Sequence, residues 1–462
     1  MENKNAKVDA LAKTAVQKMF ELKGVDHTFP FDEIWNFLPP NETIPSASRS
    51  PQGRKLRDAG YIRATGKQIK ATTASRRGNT VPQYMFGQHF GDGGNDEKLN
   101  EDLTRLLRES FENAHLKCAP SLLLRFIAAL TTKPFCLLTG LAGSGKTKVA
   151  EAVARWLCET TDQFRVVAVG ADWTSNENLL GYPDALQSGV YRPPVNGVLE
   201  LILRADADQE RPYFLILDEM NLSHVERYFA DFLSAMESES ALLSLHGSAE
   251  ALKAGIGDVP GSLALPKNLF IIGTVNVDET TYMFSPKVLD RANVIEFRAS
   301  REQMASFLDD PAAINLHDLA GQGSEFASAF VLRANSEALI VDVVDESGNS
   351  VHDRLKHDLL EAFNALEEIG AEFGFRTAKE IARFVTIHRE LSGADWHYKA
   401  ALDAQVLQKL MPKLHGSARK LEGVLAALAS FAAARDLTLT SEKIARMQKR
   451  LDRDGFTSFA EA

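Results

Sequence analysis

The chain has 462 residues, 45% hydrophobic and 25% charged, which is typical of folded protein and argues against disorder or a coiled-coil rod. Its three cysteines form no C-x-x-C pair, so neither a disulfide framework nor a cysteine zinc site is expected. No apolar run reaches the ~18 residues that span a bilayer, and the N-terminus lacks a secretory signal, so we expect a cytoplasmic protein.

The net charge of −10 is unevenly distributed along the chain. Residues 1–90 hold 14 Lys and Arg against 8 Asp and Glu, a balance of +6, whereas the remainder has a balance of −16. A basic module on an acidic body indicates that any contact with nucleic acid is made by the N-terminal part. A chance distribution of surface charge is the alternative.

Residues 1–90 are predicted to form a small α+β domain of the winged-helix type. Apolar residues recur at helical spacing, and Ser50 and Gly60 are typical start and stop signals of the third helix. The predicted elements are helices over 8–23, 31–38 and 51–59 and strand-like segments at 61–63, 67–72 and 81–86. The polar loop before the last strand would be the wing.

Basic residues are concentrated in residues 49–77, which hold nine of them and a single acid, Asp58. A recognition helix would lie in the major groove, and a wing could meet phosphates or the minor groove. The candidate DNA contacts are Arg54, Lys55 and Arg57 on the third helix and Arg76 and Arg77 at the wing tip. Docking of a protein on the same domain is the alternative.

Beyond a glycine-rich linker at 91–97, the pattern changes to apolar runs alternating with helical segments over 98–300. This alternation predicts an α/β domain with a parallel sheet. The predicted strands are 134–138, 165–169, 213–217 and 269–275. Residues 301–462 are predicted to be helical, apart from one hairpin at 338–352; the helices are 352–369, 376–391, 399–414, 418–435 and 440–452.

A phosphate-binding loop is the strongest motif in the chain. Residues 140–147, GLAGSGKT, lie between an apolar strand and a helix and match G-x-x-x-x-G-K-[ST] in full. Glycines let successive N–H groups converge on phosphates at a helix N-terminus, with Lys146 against the β- and γ-phosphates and Thr147 on Mg²⁺. The predicted nucleotide-binding residues are Gly140, Gly143, Ser144, Gly145, Lys146 and Thr147.

Two later strands end in polar residues. The apolar run 214–217 leads into Asp218 and Glu219, and such a strand about 70 residues after a phosphate loop is a Walker B pattern. Asp218 would bind nucleotide-associated Mg²⁺, and Glu219 would polarise the attacking water. The run 269–275 ends in Asn276, a second candidate at the same site.

At this point the chain resembles the AAA+ superfamily, and within it the branch of the McrB-type restriction ATPases, MoxR and dynein-like modules. The segments that carry the resemblance are GLAGSGKT, ILDEMNLSHVERYFADFLSAMES, IIGTVNVDETTYMFSPKVLDRANVIEF and GFRTAKEIARF, within residues 98–435. The resemblance implies an AAA+ core of parallel sheet with an all-α lid. It also implies a hairpin insertion near residues 173–192.

Roles for four residues follow from that resemblance. Asn276 would be the sensor that orients water, Glu219 the catalytic carboxylate, Arg291 the finger that reaches a neighbouring subunit's nucleotide, and Arg376 the second sensor on the lid. Lys287 competes for the finger role and Arg383 for the lid role. A finger supplied by a neighbour implies a ring, most simply a hexamer.

McrB-like proteins hydrolyse nucleotide and drive a separate nuclease of the McrC type. The resemblance therefore implies a DNA-binding NTPase in defence against foreign DNA, with a McrC-like partner. A MoxR-like ATPase that remodels a docked client is the alternative, and a nucleotide-binding switch without catalysis is disfavoured by the intact residues. McrB itself has Met-Asn-Thr-Ala-Asp around the sensor, whereas this chain has VNVDE at 275–279, so we favour ATP and leave GTP open.

No nuclease centre is expected in this chain. One Glu-x-Lys match, Glu21 to Lys23, falls inside the first predicted helix. The histidines show no zinc spacing. Cleavage of DNA is therefore expected to need the partner subunit.

Overall fold

The structure is a computed structural model that describes residues 12, 15, 16, 19, 28–30, 34, 62–70, 80–86, 93–238, 240–277, 284–299, 301–309, 313–336 and 343–462. The chain forms two compact units, Met1–Lys98 and Leu99–Ala462. None of the helices in these ranges is long and apolar enough to cross a membrane.

The first unit contains a three-stranded antiparallel sheet in the order β1-β3-β2. Its strands are β1 (Thr28–Pro30), β2 (Ile62–Lys70) and β3 (Thr80–Phe86). The two segments predicted at 61–63 and 67–72 belong to one strand, whose register shifts between Ala64 and Gln68. The predicted third helix and wing lie outside the described residues, and so do Arg54, Lys55, Arg57, Arg76 and Arg77.

Four apolar residues of the first predicted helix lie in helical conformation and are fully buried: Ala12, Ala15, Val16 and Met19. Their spacing of three and four residues is the period that the sequence shows over 8–23. The helix therefore buries one apolar stripe within the first unit.

The second unit is mixed α/β. Its helices, of which the first begins before Leu99, are α1 (Gly93–Asn113), α2 (Pro120–Thr132), α3 (Lys146–Leu157), α4 (Glu177–Leu180), α5 (Val198–Ala207), α6 (Val225–Tyr228), α7 (Ala230–Ala235), α8 (Pro286–Leu289), α9 (Arg301–Asp309), α10 (Ala327–Asn335), α11 (Val351–Glu367), α12 (Phe375–Ser392), α13 (Tyr398–Gln405), α14 (Ala418–Arg435) and α15 (Thr438–Asp454). Because α1 starts at Gly93, part of the segment predicted as a linker is helical.

The strands of the second unit are β4 (Phe135–Gly140), β5 (Phe164–Ala168), β6 (Tyr182–Pro183), β7 (Tyr191–Arg192), β8 (Tyr213–Asp218), β9 (Leu242–Ser244), β10 (Leu252–Ala254), β11 (Gly257–Val259), β12 (Ser262–Ala264), β13 (Leu269–Asn276), β14 (Asn293–Phe297), β15 (His415–Ser417) and β16 (Phe456–Ser458). Five of them form a parallel sheet in the order β14-β4-β13-β8-β5. All residues of β4 and β13 are buried, as expected for a parallel sheet covered on both faces.

This strand order places three carboxyl ends side by side. Gly140 at the end of β4 is opposite Asn276 at the end of β13. The next strand along the sheet, β8, ends in Asp218. Ligands of open α/β sheets bind at the carboxyl ends of the strands, so the topology brings the predicted motifs to one edge.

Strand β14 was not predicted. It has five residues and includes Glu296, so it lacks the long apolar run of the other core strands. Glu296 is held by Lys443, whose Nζ lies 2.9 Å from Oε1, and by Arg446 at 2.7 Å from Oε2. The charge of Glu296 makes the strand hard to recognise in the sequence. In the fold this charge is paired with Lys443 and Arg446 of α15.

The C-terminal part is mainly helical, as predicted, but it also contains the antiparallel pair β15 and β16, which was not predicted. Two further differences concern predicted elements. The segment predicted as one helix over 399–414 divides into α13, a π-helical turn at Val406–Leu410 and a 3-10 turn at Met411–Lys413, which contains Pro412. At the predicted hairpin, the described residues show one bridge, between Val344 and Ser350, while 337–342 lie outside them.

The hairpin expected near residues 173–192, between β5 and β8, is present. Strands β6 and β7 pair through Tyr182 and Arg192. A second hairpin, β10 and β11, lies beside it, because the Lys253 amide donates to the Gly189 carbonyl at 2.8 Å. The two hairpins therefore lie next to each other and are joined by a backbone hydrogen bond.

Candidate nucleotide site

The loop at 140–147 depends on glycine for its shape. Gly140, Gly143 and Gly145 have φ angles of +153°, +73° and +90°, which other residues rarely adopt. A Cβ atom on Gly140 would lie 2.2 Å from the Phe297 carbonyl oxygen on β14. Gly145 directly precedes α3, so the loop ends at a helix N-terminus, whose first N–H groups lack partners within the helix and can bind an anion.

The amine of Lys146 lies over this loop. Its Nζ donates to the Gly140 carbonyl at 2.9 Å and to the Leu141 carbonyl at 2.7 Å, and lies 3.4 Å from the Ser144 hydroxyl. The residue is buried, with 4% of its surface exposed. A desolvated cation that is held by two backbone carbonyls of the loop is placed to bind an anion that enters the loop.

The loop is joined to the end of β8 by a short hydrogen bond. Thr147 donates from Oγ1 to Asp218 Oδ1 at 2.6 Å. A hydroxyl and a carboxylate are the donors with which Mg²⁺ is held beside nucleotide phosphates, because this ion keeps several waters and needs few protein ligands. Thr147 and Asp218 therefore fit Mg²⁺. The described residues contain no cluster of three or more His, Cys, Asp or Glu that would form a metal site without phosphate.

A residue that the sequence did not single out, Thr274, organises the end of β8. Its Oγ1 donates to Asp218 Oδ1 at 2.7 Å and accepts from the Glu219 amide at 3.0 Å. It comes from the middle of the neighbouring strand β13 and is 1% exposed. Its position two residues before Asn276 was the signal available in the sequence.

Glu219 and Asn276 are in direct contact. Asn276 donates from Nδ2 to Glu219 Oε1 at 3.0 Å. Glu219 has a φ of +54°, an uncommon value for a residue with a side chain. Such backbone strain occurs where the surroundings hold a side chain in one required position.

The contacts define a nucleotide cluster: Lys146, Thr147, Asp218, Glu219, Thr274 and Asn276. All six come from the loop after β4 and from the ends of β8 and β13. The arrangement can bind a phosphate chain, hold Mg²⁺ and present a carboxylate to water. It contains all the sheet residues predicted for the site.

The two predicted arginines lie together in a second cluster. Arg291, two residues after the end of α8, and Arg376, at the start of α12, both pair with the carboxylate of Glu237. Arg291 also donates to the Lys287 carbonyl. We call Arg291, Arg376 and Glu237 the arginine–glutamate cluster.

Arg383, the alternative for the lid role, lies elsewhere on α12. Its guanidinium donates to the Thr131 carbonyl at 3.3 Å and to the Ala334 carbonyl. It therefore joins α12 to α2 and α10.

A buried ionic group anchors α12 behind Arg376. Glu380 lies 2.5 Å from Lys133 Nζ, 2.7 Å from Lys409 Nζ and 4.0 Å from Arg376 Nε. Burial lowers the pKa of Lys409 to about 8, against the opposing effect of Glu380. Burial alone would raise the pKa of Glu380, but the two lysines lower it, so the carboxylate stays charged.

Comparison with known proteins adds one match. Residues 332–456 match the model of a domain of unknown function, DUF8727. The match covers most of the helical part, including Arg376 and Glu380, and leaves the parallel sheet and the nucleotide cluster outside it. No curated protein matches the chain.

Proposed function

We propose that the chain is a nucleoside triphosphatase of the AAA+ type, similar to the McrB-like ATPases. The observation that carries the proposal is the nucleotide cluster, in which a glycine-rich loop, a hydroxyl–carboxylate pair and a carboxylate–amide pair meet at one sheet edge. Together these groups can meet the requirements of phosphoryl transfer to water: positioning, charge neutralisation and an oriented nucleophile.

Each residue then has a separate task. The loop amides and Lys146 bind the β- and γ-phosphates, which replace the loop carbonyls as partners of the amine. Thr147 and Asp218 would hold Mg²⁺, which neutralises phosphate charge when bound. Glu219 accepts a hydrogen bond from the attacking water and polarises it. Asn276 keeps the Glu219 carboxylate oriented toward that water.

The proposal includes a ring, most simply a hexamer, in which Arg291 acts on the nucleotide of the neighbouring copy. A cation supplied in trans stabilises charge that develops on the phosphates. The basic N-terminal module would bind DNA, and a separate McrC-like nuclease would be recruited or powered. A MoxR-like remodelling ATPase, with a client docked on the N-terminal module, is the second candidate and shares the same nucleotide chemistry.

The decisive experiment is phosphate release by the purified full-length chain with Mg²⁺ and either ATP or GTP. We expect hydrolysis, with ATP preferred. Lys146→Ala should weaken nucleotide binding by roughly 100-fold or more, because a buried cation on the phosphates is lost. Lys148→Ala is the matched control, since Lys148 is the exposed lysine two residues further on. Hydrolysis unaffected by Lys146→Ala would refute the site.

DNA binding is tested separately by deleting residues 1–90. We expect the deletion to remove most DNA affinity and to leave nucleotide binding intact. Binding by the full chain should weaken steeply with salt, as counterions are released from phosphates. Affinity that is independent of salt would favour the remodelling candidate, and affinity unchanged by the deletion would show that residues 1–90 do not supply the DNA contacts. Neither form should cut DNA without a second subunit.

A further inference from the structure

Glu237 is shared by two arginines that are distant in the sequence. It follows α7 and accepts hydrogen bonds from Arg291 and from Arg376, the latter 139 residues away. Partial burial raises the pKa of Glu237, but the hydrogen bonds from Arg376 and Arg291 outweigh it, so the pKa is lowered. The carboxylate is therefore a stable anion between two cations.

The two arginines are arranged around this anion. Among the described residues, the ion pairs and hydrogen bonds of Arg291 and Arg376 are with Glu237, Glu380 and the Lys287 carbonyl, and none is with the phosphate loop of the same chain. The Nε of Arg291 is buried and has no hydrogen-bond partner among them.

The cluster is open to solution on the Arg376 side. The side chain of Arg376 is 43% exposed and that of Glu237 is 33% exposed. The neighbouring Phe375 is 99% exposed. An anion approaching from another molecule can therefore reach the Arg376 guanidinium directly. The Arg291 side chain is 13% exposed, so the anion reaches it by taking the place of Glu237.

Carboxylate and phosphate oxygens use the same guanidinium donors. Arginine binds both in a forked geometry, so a carboxylate between two arginines occupies the place that a phosphate would take. Two arginines with one carboxylate carry a net charge of about +1, and loss of the carboxylate would double it. Glu237 thus competes with any phosphate for this pair.

We propose that Glu237 is a latch: it holds Arg291 and Arg376 as a pair and releases them to the triphosphate bound at the phosphate loop of a second copy. This inference rests on the proposed function and extends it, since it makes Arg376 a partner of Arg291 at the neighbour's nucleotide. Glu237 is a positioning residue, and it disfavours assembly until a nucleotide-loaded copy displaces it.

The test measures nucleotide-dependent assembly by sedimentation velocity in the Glu219→Gln background, which is expected to bind ATP without consuming it. Glu237→Gln keeps the size of the side chain and removes its charge. We expect it to lower the subunit concentration at half-assembly roughly three- to tenfold, from loss of two partly exposed ion pairs. Glu237→Asp should stay near the parent.

Two further variants separate a latch from a merely structural contact. Glu361→Gln removes a carboxylate paired with Arg435 elsewhere on the helical part and should leave assembly unchanged. Arg291→Ala should cancel the gain from Glu237→Gln, because the released cation is then missing. A gain that persists without Arg291 would overturn the latch.

A second measurement does not depend on assembly. In the Lys146→Ala background, Glu237→Gln should tighten binding of inorganic tripolyphosphate to the unassembled chain, because the arginine pair is then unoccupied. Equal or weaker binding, in a protein with unchanged thermal unfolding, would overturn the latch. If the parent bound ATP and assembled but Glu237→Gln did not favour assembly, the latch alone would be wrong. A parent that neither bound ATP nor assembled would refute the proposed function and the latch together.

Discussion

The nucleotide cluster and the arginine–glutamate cluster differ in how the fold holds them. The first is built on the ends of adjacent parallel strands, whose ladders fix the spacing of Gly140, Asn276 and Asp218. The second joins the turn after α7, the turn after α8 and the start of α12. Its geometry therefore depends on how the helical part packs against the sheet.

Because they are held differently, the two clusters suit different tasks: precise positioning of groups in the first and exchange of ion-pair partners in the second. Groups on a buried sheet have little freedom, which suits chemistry that needs positioning to a fraction of an ångström. Surface ion pairs between packed helices can exchange partners at small cost, because each pair contributes little stability in water. Under the proposed function, catalysis would take place at the sheet edge and assembly would be controlled at the helix junction.

The largest expected effect is at the sheet edge. Glu219→Gln should lower turnover by roughly 100- to 1000-fold, because the amide cannot polarise water, while ATP affinity changes little. Single-turnover phosphate release and equilibrium ATP binding measure the two quantities. Glu200→Gln on the surface of α5 is a control that should leave both unchanged. A wild-type rate in Glu219→Gln would show that the catalytic carboxylate is elsewhere.

The next effect tests whether the nucleotide cluster of one subunit and Arg291 of a neighbouring subunit form one site. Arg291→Ala alone should be nearly inactive, as Glu219→Gln is. An equal mixture should recover roughly a quarter of wild-type hydrolysis, because one random interface in four combines an intact carboxylate with an intact arginine. The mixture is compared with each variant alone, in rings shown to exchange subunits. Absence of recovery at every ratio would argue for an arginine that acts within its own chain.

A smaller effect is expected at Thr274, which supports the other residues of the nucleotide cluster. Thr274→Val removes the hydroxyl that bridges Asp218 and the Glu219 amide while keeping the shape of the side chain. Because Thr274 acts through these residues, we expect hydrolysis to fall about tenfold. Thr131→Val is matched in burial, and its hydroxyl bonds only within α2. Equal rates for Thr274→Val and Thr131→Val would remove Thr274 from the cluster.

The smallest effect concerns the packing of α12, which carries Arg376. Burial lowers the pKa of His388 on this helix to about 4, and nearby Arg125 adds to the shift. Between pH 6.5 and 4 the unfolded chain therefore binds a proton that the folded chain excludes. The free energy of unfolding should fall through this window as the pH falls, by at most ~3 kcal/mol from this residue, and be insensitive to it above.

Denaturant unfolding at a series of pH values measures this dependence. His388→Gln should remove the component that His388 contributes, so its unfolding free energy should change less between pH 7 and pH 5 than that of the wild type. Nucleotide binding at pH 7 should be the same in both. Identical pH profiles for the two proteins would show that His388 does not titrate as its burial implies.

Parts of the fold were predictable because their signals are local. The phosphate loop needs glycine at fixed positions and the core strands need continuous apolar runs, so 135–140, 164–168, 213–218 and 269–276 were predicted to within two residues. Thr274 was not predicted, because its position two residues before Asn276 does not by itself show that its hydroxyl contacts Asp218. The candidate DNA contacts stay predictions.

The sequence by itself determined the shape and chemistry of the loop at 140–147 and the polar strand ends, because each depends on residues that are neighbours along the chain. Only the tertiary structure decided that Glu237 lies between Arg291 and Arg376. An exposed glutamate and two arginines have no sequence pattern that specifies their pairing. Their meeting depends on how α7, α8 and α12 pack, and that packing is set by contacts distributed over the whole second unit.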